Sequence, residues 1–251
     1  MNVSNLYRNG RNVLHSFRHK ILRTQIRTAP KLKASYIADE VSVSKFHQDV
    51  IQQCFAKEDA GSVAELMADL ELGGCAIIVV KEGNEILGGL IVFHYWSTGK
   101  KIMVVSWLCV DEKHRSRNIG SLLIEEAMSY AKANGALILL AEVKNPDFYP
   151  ESHPAYGNPL RRARFYSRFD CKRLEVPCYI PAFNEEQEPV HGLMLTLFPL
   201  SEEQAALTEF YLPELAEFVD DLIGQDMDKE SRDFVAACEG IVSLTPFRTL
   251  F

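Results

Sequence analysis

The sequence predicts an α/β (α+β) protein, a sheet flanked by helices, and three observations predict it. Two apolar runs, CAIIVVK at 75–81 and EILGGLIVFHY at 85–95, flank Glu82-Gly83-Asn84 and read as a hairpin. A third run, KIMVVSWLCV at 101–110, is followed by an amphipathic helix at 119–134, by Gly135 in the C-cap position, and by a strand at 137–143. With 47% hydrophobic and 24% charged residues in 251, the balance is that of a globular chain. A chain of this length buries enough surface to fold without disulfides or a metal.

The elements follow in order. Residues 1–34 form a basic amphipathic helical extension, with Leu14, Phe17, Ile21 and Leu22 near helical spacing and Ala29-Pro30 ending it. Lys33 to Val41 reads as a strand, and Ser42 or Ser44 is expected to cap a helix at 44–57. A second helix spans 62–70, before the hairpin. Residues 145–160 hold four prolines together with Tyr149, His153 and Tyr156 and read as a long ordered loop. A helix at 161–168 and strands at 172–179 and 191–199 close the sheet. Residues 200–251 are expected to be an acidic helical extension packed on the domain. Phe210, Leu215, Phe218 and Leu222 would form its apolar stripe.

The net charge of −7 hides an asymmetry. Residues 1–38 carry eight Lys or Arg and no acid, whereas the remainder holds 19 bases against 34 acids. An acidic body repels nucleic acid and attracts cationic small molecules. The basic N-terminus leaves open a transit peptide, a membrane-surface helix or a solvated helix. No apolar run approaches the ~20 residues of a membrane span. The six cysteines form no CxxC pair and no zinc-spaced cluster with histidine, so they are expected to be reduced thiols, with no metal and a cytoplasmic setting.

The chemistry concentrates in Val104 to Ser121, where a strand runs into a short basic turn that opens a helix. Helix N-termini offer free N–H groups and a positive dipole end to phosphates. Arg115 and Arg117 would add charge-assisted contacts, and Gly120 with Ser121 would let the backbone approach closely. The run Arg115-Ser116-Arg117-Asn118-Ile119-Gly120 resembles the acyl-coenzyme A signature of the GNAT superfamily of N-acyltransferases. That signature reads arginine or glutamine, two residues, glycine, one residue, then glycine or alanine. Asn118 departs from its glycine, but asparagine tolerates positive φ better than other non-glycine residues. Phe165-Tyr166 further resembles the family's Phe-Tyr pair in the helix after the fourth strand, although Asp170-Cys171 departs from the Gly-Phe that follows it there.

The resemblance covers about 35–199 and implies a mixed, mostly antiparallel central sheet in which two parallel strands, 101–110 and 137–143, splay apart around an acyl thioester. It implies acetyl-coenzyme A as acyl donor. Leu108, Cys109 and Val110 would pair with the pantetheine arm, Arg115 to Ser121 would hold the phosphates, and Asn158 would contact pantetheine. Tyr166 would be the acid that protonates the departing thiolate. Glu142, among apolar neighbours, is the expected base for the acceptor amine, with His94, His114 and His153 as alternatives. Cys109 has no identifiable histidine partner, so direct transfer is expected rather than an acyl-enzyme.

The expected reaction is acetyl transfer to a primary amine of a small molecule or protein, by a monomer or homodimer. Glu185, Glu186 and Glu188 favour a cationic acceptor. Three alternatives stay open: a longer-chain acyltransferase, a non-catalytic acyl-coenzyme A-binding regulatory module, and nucleic-acid binding through the basic N-terminus, whose signature is steep salt dependence.

Overall fold

The first described strand, β1 (Ala34–Ile37), gives way at once to a helix because Asp39 caps it. The computed structural model describes residues 32–55, 60–151, 157–180, 189–223 and 229–249. The N-terminal extension, His153, Tyr156 and the three glutamates near 185 lie outside them. Asp39 Oδ1 accepts the Ser42 N–H at 2.9 Å, which corrects the expected cap at Ser42 or Ser44. A charged acceptor ahead of the first turn serves its unpaired N–H groups better than a hydroxyl inside it. α1 (Glu40–Phe46) continues through a π-helical turn, His47–Ile51, into α2 (Gln52–Cys54). α3 (Val63–Glu71) starts on a capping box, in which Ser62 and Glu65 bond each other's backbone N–H.

The hairpin follows as β2 (Cys75–Glu82) and β3 (Glu85–Ser97), then β4 (Lys100–Val110), α4 (Ile119–Ala133) and β5 (Ile138–Lys144). Next come α5 (Pro159–Tyr166), β6 (Lys172–Leu174), β7 (Cys178–Ile180) and β8 (Val190–Phe198). The C-terminal stretch contributes α6 (Glu202–Ala206), β9 (Glu209–Tyr211), α7 (Pro213–Ile223), α8 (Lys229–Cys238) and β10 (Ile241–Pro246). The expectation of a helical tail is therefore corrected. Val242 and Leu244 alternate inward along a strand that pairs with β6, and Phe210 lies on β9, not on a helix. Leu215 and Phe218 are buried on α7, while the Leu222 side chain is outside the described set.

The strands form one sheet in the order β1-β2-β3-β4-β5-β8-β6-β10-β9, with β7 also on β8. Every pairing is antiparallel except β4 with β5, which α4 connects. Lys33–Phe251 is one compact unit. Strand alternation puts Ile91, Phe93 and Tyr95 on one face and Leu90, Val92 and His94 on the other. The first face carries two cores. One gathers Val43, Phe46, Leu66, Ile77 and Ile91 beneath α1 and α3; the other gathers Ile102, Leu140, Leu195, Phe218 and Phe234 beneath α7 and α8. α4 covers the opposite face, where its Tyr130 ring stacks on His94.

Candidate functional site

The parallel pair is short. Its register runs from Ile102 opposite Ile138 to Val105 opposite Ala141, and stops. β4 continues to Val110 and β5 to Lys144, so residues 106–110 and 142–144 diverge and leave a gap in the sheet. A bulge in β4 marks the divergence: Gly89 opposes Cys109, but Ile91 opposes Ser106, so β4 holds one extra residue. Trp107 absorbs it with φ +47, an uncommon conformation for a bulky residue, and its ring packs edge-on to Phe93 at 5.8 Å. No glycine or proline announces this bulge in the sequence. Gly88 permits the close approach of β3, since a Cβ there would meet Cys109 O at 2.7 Å.

The Asp111 N–H bonds Leu87 O on β3 at 3.0 Å. By alternation Cys109 shares that edge, while Leu108 and Val110 turn their N–H and C=O groups toward the gap. Of the three backbone positions expected to meet a pantetheine arm, two face the opening and Cys109 does not. Its thiol is buried against the α1 core and donates to Trp107 O at 3.3 Å.

The turn after β4 curls through two left-handed residues, Ser116 at φ +68 and Asn118 at φ +63. The N-terminus of α4 follows directly, and the first N–H groups of such a helix are suited to an anion. Asn118 supplies the φ that a glycine would otherwise supply. Ile119 and Ser121 are buried in the first turn of the helix. Gly120 serves packing: a Cβ there would lie 3.2 Å from the Phe165 ring on α5. Arg115 lies 3.8 Å from exposed Glu112 and stays half-exposed. Arg117 is turned away to the hairpin, its guanidinium 2.8 Å from Glu82, which holds the Glu82 carboxyl below its usual range. His114 pairs with Glu85 at 3.0 Å beside it. Of the two arginines expected at a phosphate, Arg117 is engaged by Glu82 and Arg115 makes only the looser contact with Glu112.

Glu142 is the first residue of β5 past the last β4 pair, opposite Leu195 of β8. Burial pushes its carboxyl up to about 7. It makes no hydrogen bond among the described residues, and its charge is felt by Tyr95 and Cys178. Ser106, partly exposed, begins the diverging part of β4 on the same face; sequence reasoning passed over it because only the register identifies it. Tyr166, 7% exposed, packs edge-on against Phe165, Phe198 and Phe247. Burial pushes its phenol up to about 12. Asn158 caps α5, its Oδ1 accepting the Arg161 N–H at 2.8 Å, so that oxygen is committed to the helix. His94 is held between Gly73 O at 2.8 Å and the Tyr130 hydroxyl at 3.2 Å, on the α4 face, and burial lowers its pKa. These bonds leave it a packed histidine. Among the described residues no cluster of His, Cys, Asp and Glu is placed to hold a metal, and no helix is long and apolar enough to cross a membrane.

Comparison with known proteins bears on this geometry. Residues 44–153 match the model of the Acetyltransferase (GNAT) family, a span that includes β2 to β5, the bulge and the turn. Among solved structures, a GNAT-family protein from Bacteroides thetaiotaomicron is 16% identical, over 66% of this chain and 85% of that one, with TM-score 0.50. Another, from Desulfovibrio desulfuricans, is 14% identical over 68% of this chain and 99% of that one, with TM-score 0.49. At such identity the likeness is one of fold. No curated protein matches the chain. The family match over residues 44–153 and the splayed sheet agree: this part of the chain is similar to the GNAT acetyltransferases, and the fold is of their type.

Proposed function

We propose that the protein is an N-acetyltransferase that moves the acetyl group of acetyl-coenzyme A directly to a primary amine of a small molecule or protein. The observation that carries this reading is Glu142: a desolvated carboxyl with no hydrogen-bond partner among the described residues, at the mouth of the gap between β4 and β5. A carboxylate so placed has lone pairs to accept a proton from an incoming ammonium, and a pKa near neutrality suits a base. The donor supplies an activated acyl thioester. Its pyrophosphate suits the turn made by residues 115–121, with Arg115 as the cation and the α4 N-terminus as the dipole. The backbone of Leu108 and Val110 fits an extended pantetheine arm as an added strand. An N–H on that edge is aimed to stabilise charge on the thioester carbonyl.

Tyr166 is the proposed acid for the leaving thiolate. A phenol that ionises only near 12 carries its proton at neutral pH. The acceptor approaches from the face that Glu142, Ser106 and Tyr95 share. The acidic character of the chain outside its first 38 residues favours a cationic acceptor.

The test is a calorimetric titration of the full chain with acetyl-coenzyme A, beside an Arg115→Ala/Gly120→Glu double variant. Micromolar binding that the variant loses supports the donor assignment. It would be followed by an amine screen with detection of released thiol. A folded wild-type protein that binds no acetyl-coenzyme A overturns the assignment.

A further inference from the structure

The sheet face that carries Glu142 is covered by helices, yet not everywhere. Ile102, Val104 and Leu195 are buried on it, whereas Phe93, Tyr95, Ser106, Trp107 and Glu142 stay partly exposed. The register makes these exceptions neighbours. Ile91 opposes Ser106, and Phe93 opposes Val104, which opposes Leu140, two residues before Glu142. Trp107 follows Ser106 in the bulge, and its ring meets that of Phe93 at 5.8 Å. Phe93 and Trp107 pack against the core beneath α1 and α3, and Tyr95 packs against the core beneath α7 and α8. The partly exposed band is therefore the seam between the two cores, and Ser106 and Glu142 place it at the gap between β4 and β5.

The walls of the seam are aromatic and fixed. Trp107 is held between Phe93 and the backbone at Gly61, where a Cβ would lie 3.3 Å from Cη2 of its ring. Tyr95 is held edge-on to Phe218 at 5.0 Å. Charge is sparse: β4, β5 and β8 carry one acid between them, Glu142. On α7, Glu214 is engaged by Lys100 at 2.5 Å and Glu217 by the Ser97 hydroxyl, while Asp220 and Asp221 are exposed. One carboxylate matches one ammonium, and a polycation would bring further charges against rings that cannot pair them. Phe93 stands two strands and two residues along from Glu142, about 12 Å between backbones at ordinary strand spacing. That span admits an amine at the carboxylate and a ring, on a short chain, against Phe93 and Trp107. On the basis of the N-acetyltransferase reading, we propose that the acceptor is an arylalkylamine, a primary monoamine joined to an aromatic ring by a short chain, and that Phe93, Tyr95 and Trp107 set this specificity.

The test measures kcat/KM of the full chain with acetyl-coenzyme A as donor and released thiol as readout. The acceptors are 2-phenylethylamine, ethylamine, spermidine and a lysine-containing peptide. The value for 2-phenylethylamine is expected to exceed that for ethylamine by about 100-fold, and to exceed the values for spermidine and the peptide as well. Trp107→Ala should lower the ratio of 2-phenylethylamine to ethylamine about tenfold, chiefly through KM. A general loss of structure would lower both values and leave their ratio. If Trp107→Ala does not fold, Phe93→Leu carries the comparison, with a fall in the ratio of about threefold. Spermidine or the peptide as the best acceptor, or an unchanged ratio in a folded variant, overturns the proposal and leaves the acetyltransferase reading standing. No thiol release with any amine, from protein that binds acetyl-coenzyme A, overturns that reading and the proposal with it.

Discussion

Glu142 and Tyr166 stand on opposite faces of one sheet. Glu142 registers with Leu195 of β8, on the face covered by α7 and α8. Tyr166 rests 5.6 Å from the ring of Phe198, which registers with Leu139 and so points to the α4 face. Between the faces the sheet is open where β4 and β5 part, past Val105 and Ala141. The proposed base on one side and the proposed acid on the other suit a reaction in which the acceptor enters from one side and the leaving group departs on the other.

Replacing Glu142 with glutamine is therefore expected to lower the transfer rate by about 100–10,000-fold, the usual worth of a positioned base. Donor affinity should hold, since the carboxyl lies on the proposed acceptor side. In the wild type the rate should rise with pH up to about 7 and level off above it, because only the ionised carboxylate accepts a proton. Steady-state rates of both proteins from pH 5 to 9 check this. A variant that keeps the wild-type rate and its rising limb sinks the base assignment.

Tyr166→Phe removes one oxygen from a pocket already lined by Phe165, Phe198 and Phe247. Stability should change by about 1 kcal/mol or less, because no hydrogen bond to that hydroxyl exists among the described residues. A residue that is only packing would leave turnover unchanged too. As acid, its loss should lower kcat by roughly 100-fold with little change in KM. Thermal unfolding beside steady-state kinetics separates the two roles.

At Asn118 the backbone takes φ +63, so the side chain matters less than the conformation. Asn118→Gly should preserve both folding and acetyl-coenzyme A affinity. Asn118→Val should cost about 1–2 kcal/mol or more, because a β-branched residue strains in that region, and the donor should bind more weakly as the turn opens. Equal affinity in the two variants would show that the turn does not shape the donor site.

The legible parts of the sequence were those written in local pattern. The hairpin, the strand–helix–strand unit and the phosphate-type turn each follow from contiguous residues, and each appears within a few residues of its expected bounds. What escaped was pairing at a distance. The β4 bulge depends on the register of Ser106 and Cys109 against Ile91 and Gly89 of another strand. The insertion of β8 between β5 and β6 is likewise a pairing between strands distant in the chain. β10 is a short strand in a stretch rich in acids and helical periodicity, and only the alternation of Val242 and Leu244 marks it. Arg117 could not be separated from Arg115 without knowing that Glu82 folds back beside it.

The same Glu142 carboxyl carries a stability signature independent of activity. Its folded pKa, about 7, lies above the ordinary 4.5, so the folded protein disfavours ionisation. The stability this group contributes is full below 4.5. It is lost as pH rises toward 7 and is constant beyond. The loss amounts to about 1–3 kcal/mol. Glu142→Gln has no charge to bury and lacks that loss, so its stability relative to wild type should grow between pH 4.5 and 7 and then plateau. Denaturant unfolding of both proteins across that range measures the difference directly.

Gly89 gives a test of the packing that sets β4 in place. A Cβ at this position would lie 2.5 Å from Phe46 Cε2 and 2.9 Å from Ile78 O. The ring belongs to α1, and the carbonyl belongs to β2, which is paired on both sides. Gly89→Ala should therefore destabilise by about 1–3 kcal/mol through overpacking. Phe46→Leu also costs stability, by shrinking a fully buried side chain. In the double variant the two costs should sum to less than their total, because the smaller side chain makes room for the new methyl group. Recovery should be partial, since the Ile78 carbonyl cannot withdraw without breaking the β2 ladder. Full additivity in a denaturant-based double-mutant cycle would show that the ring and the glycine do not meet.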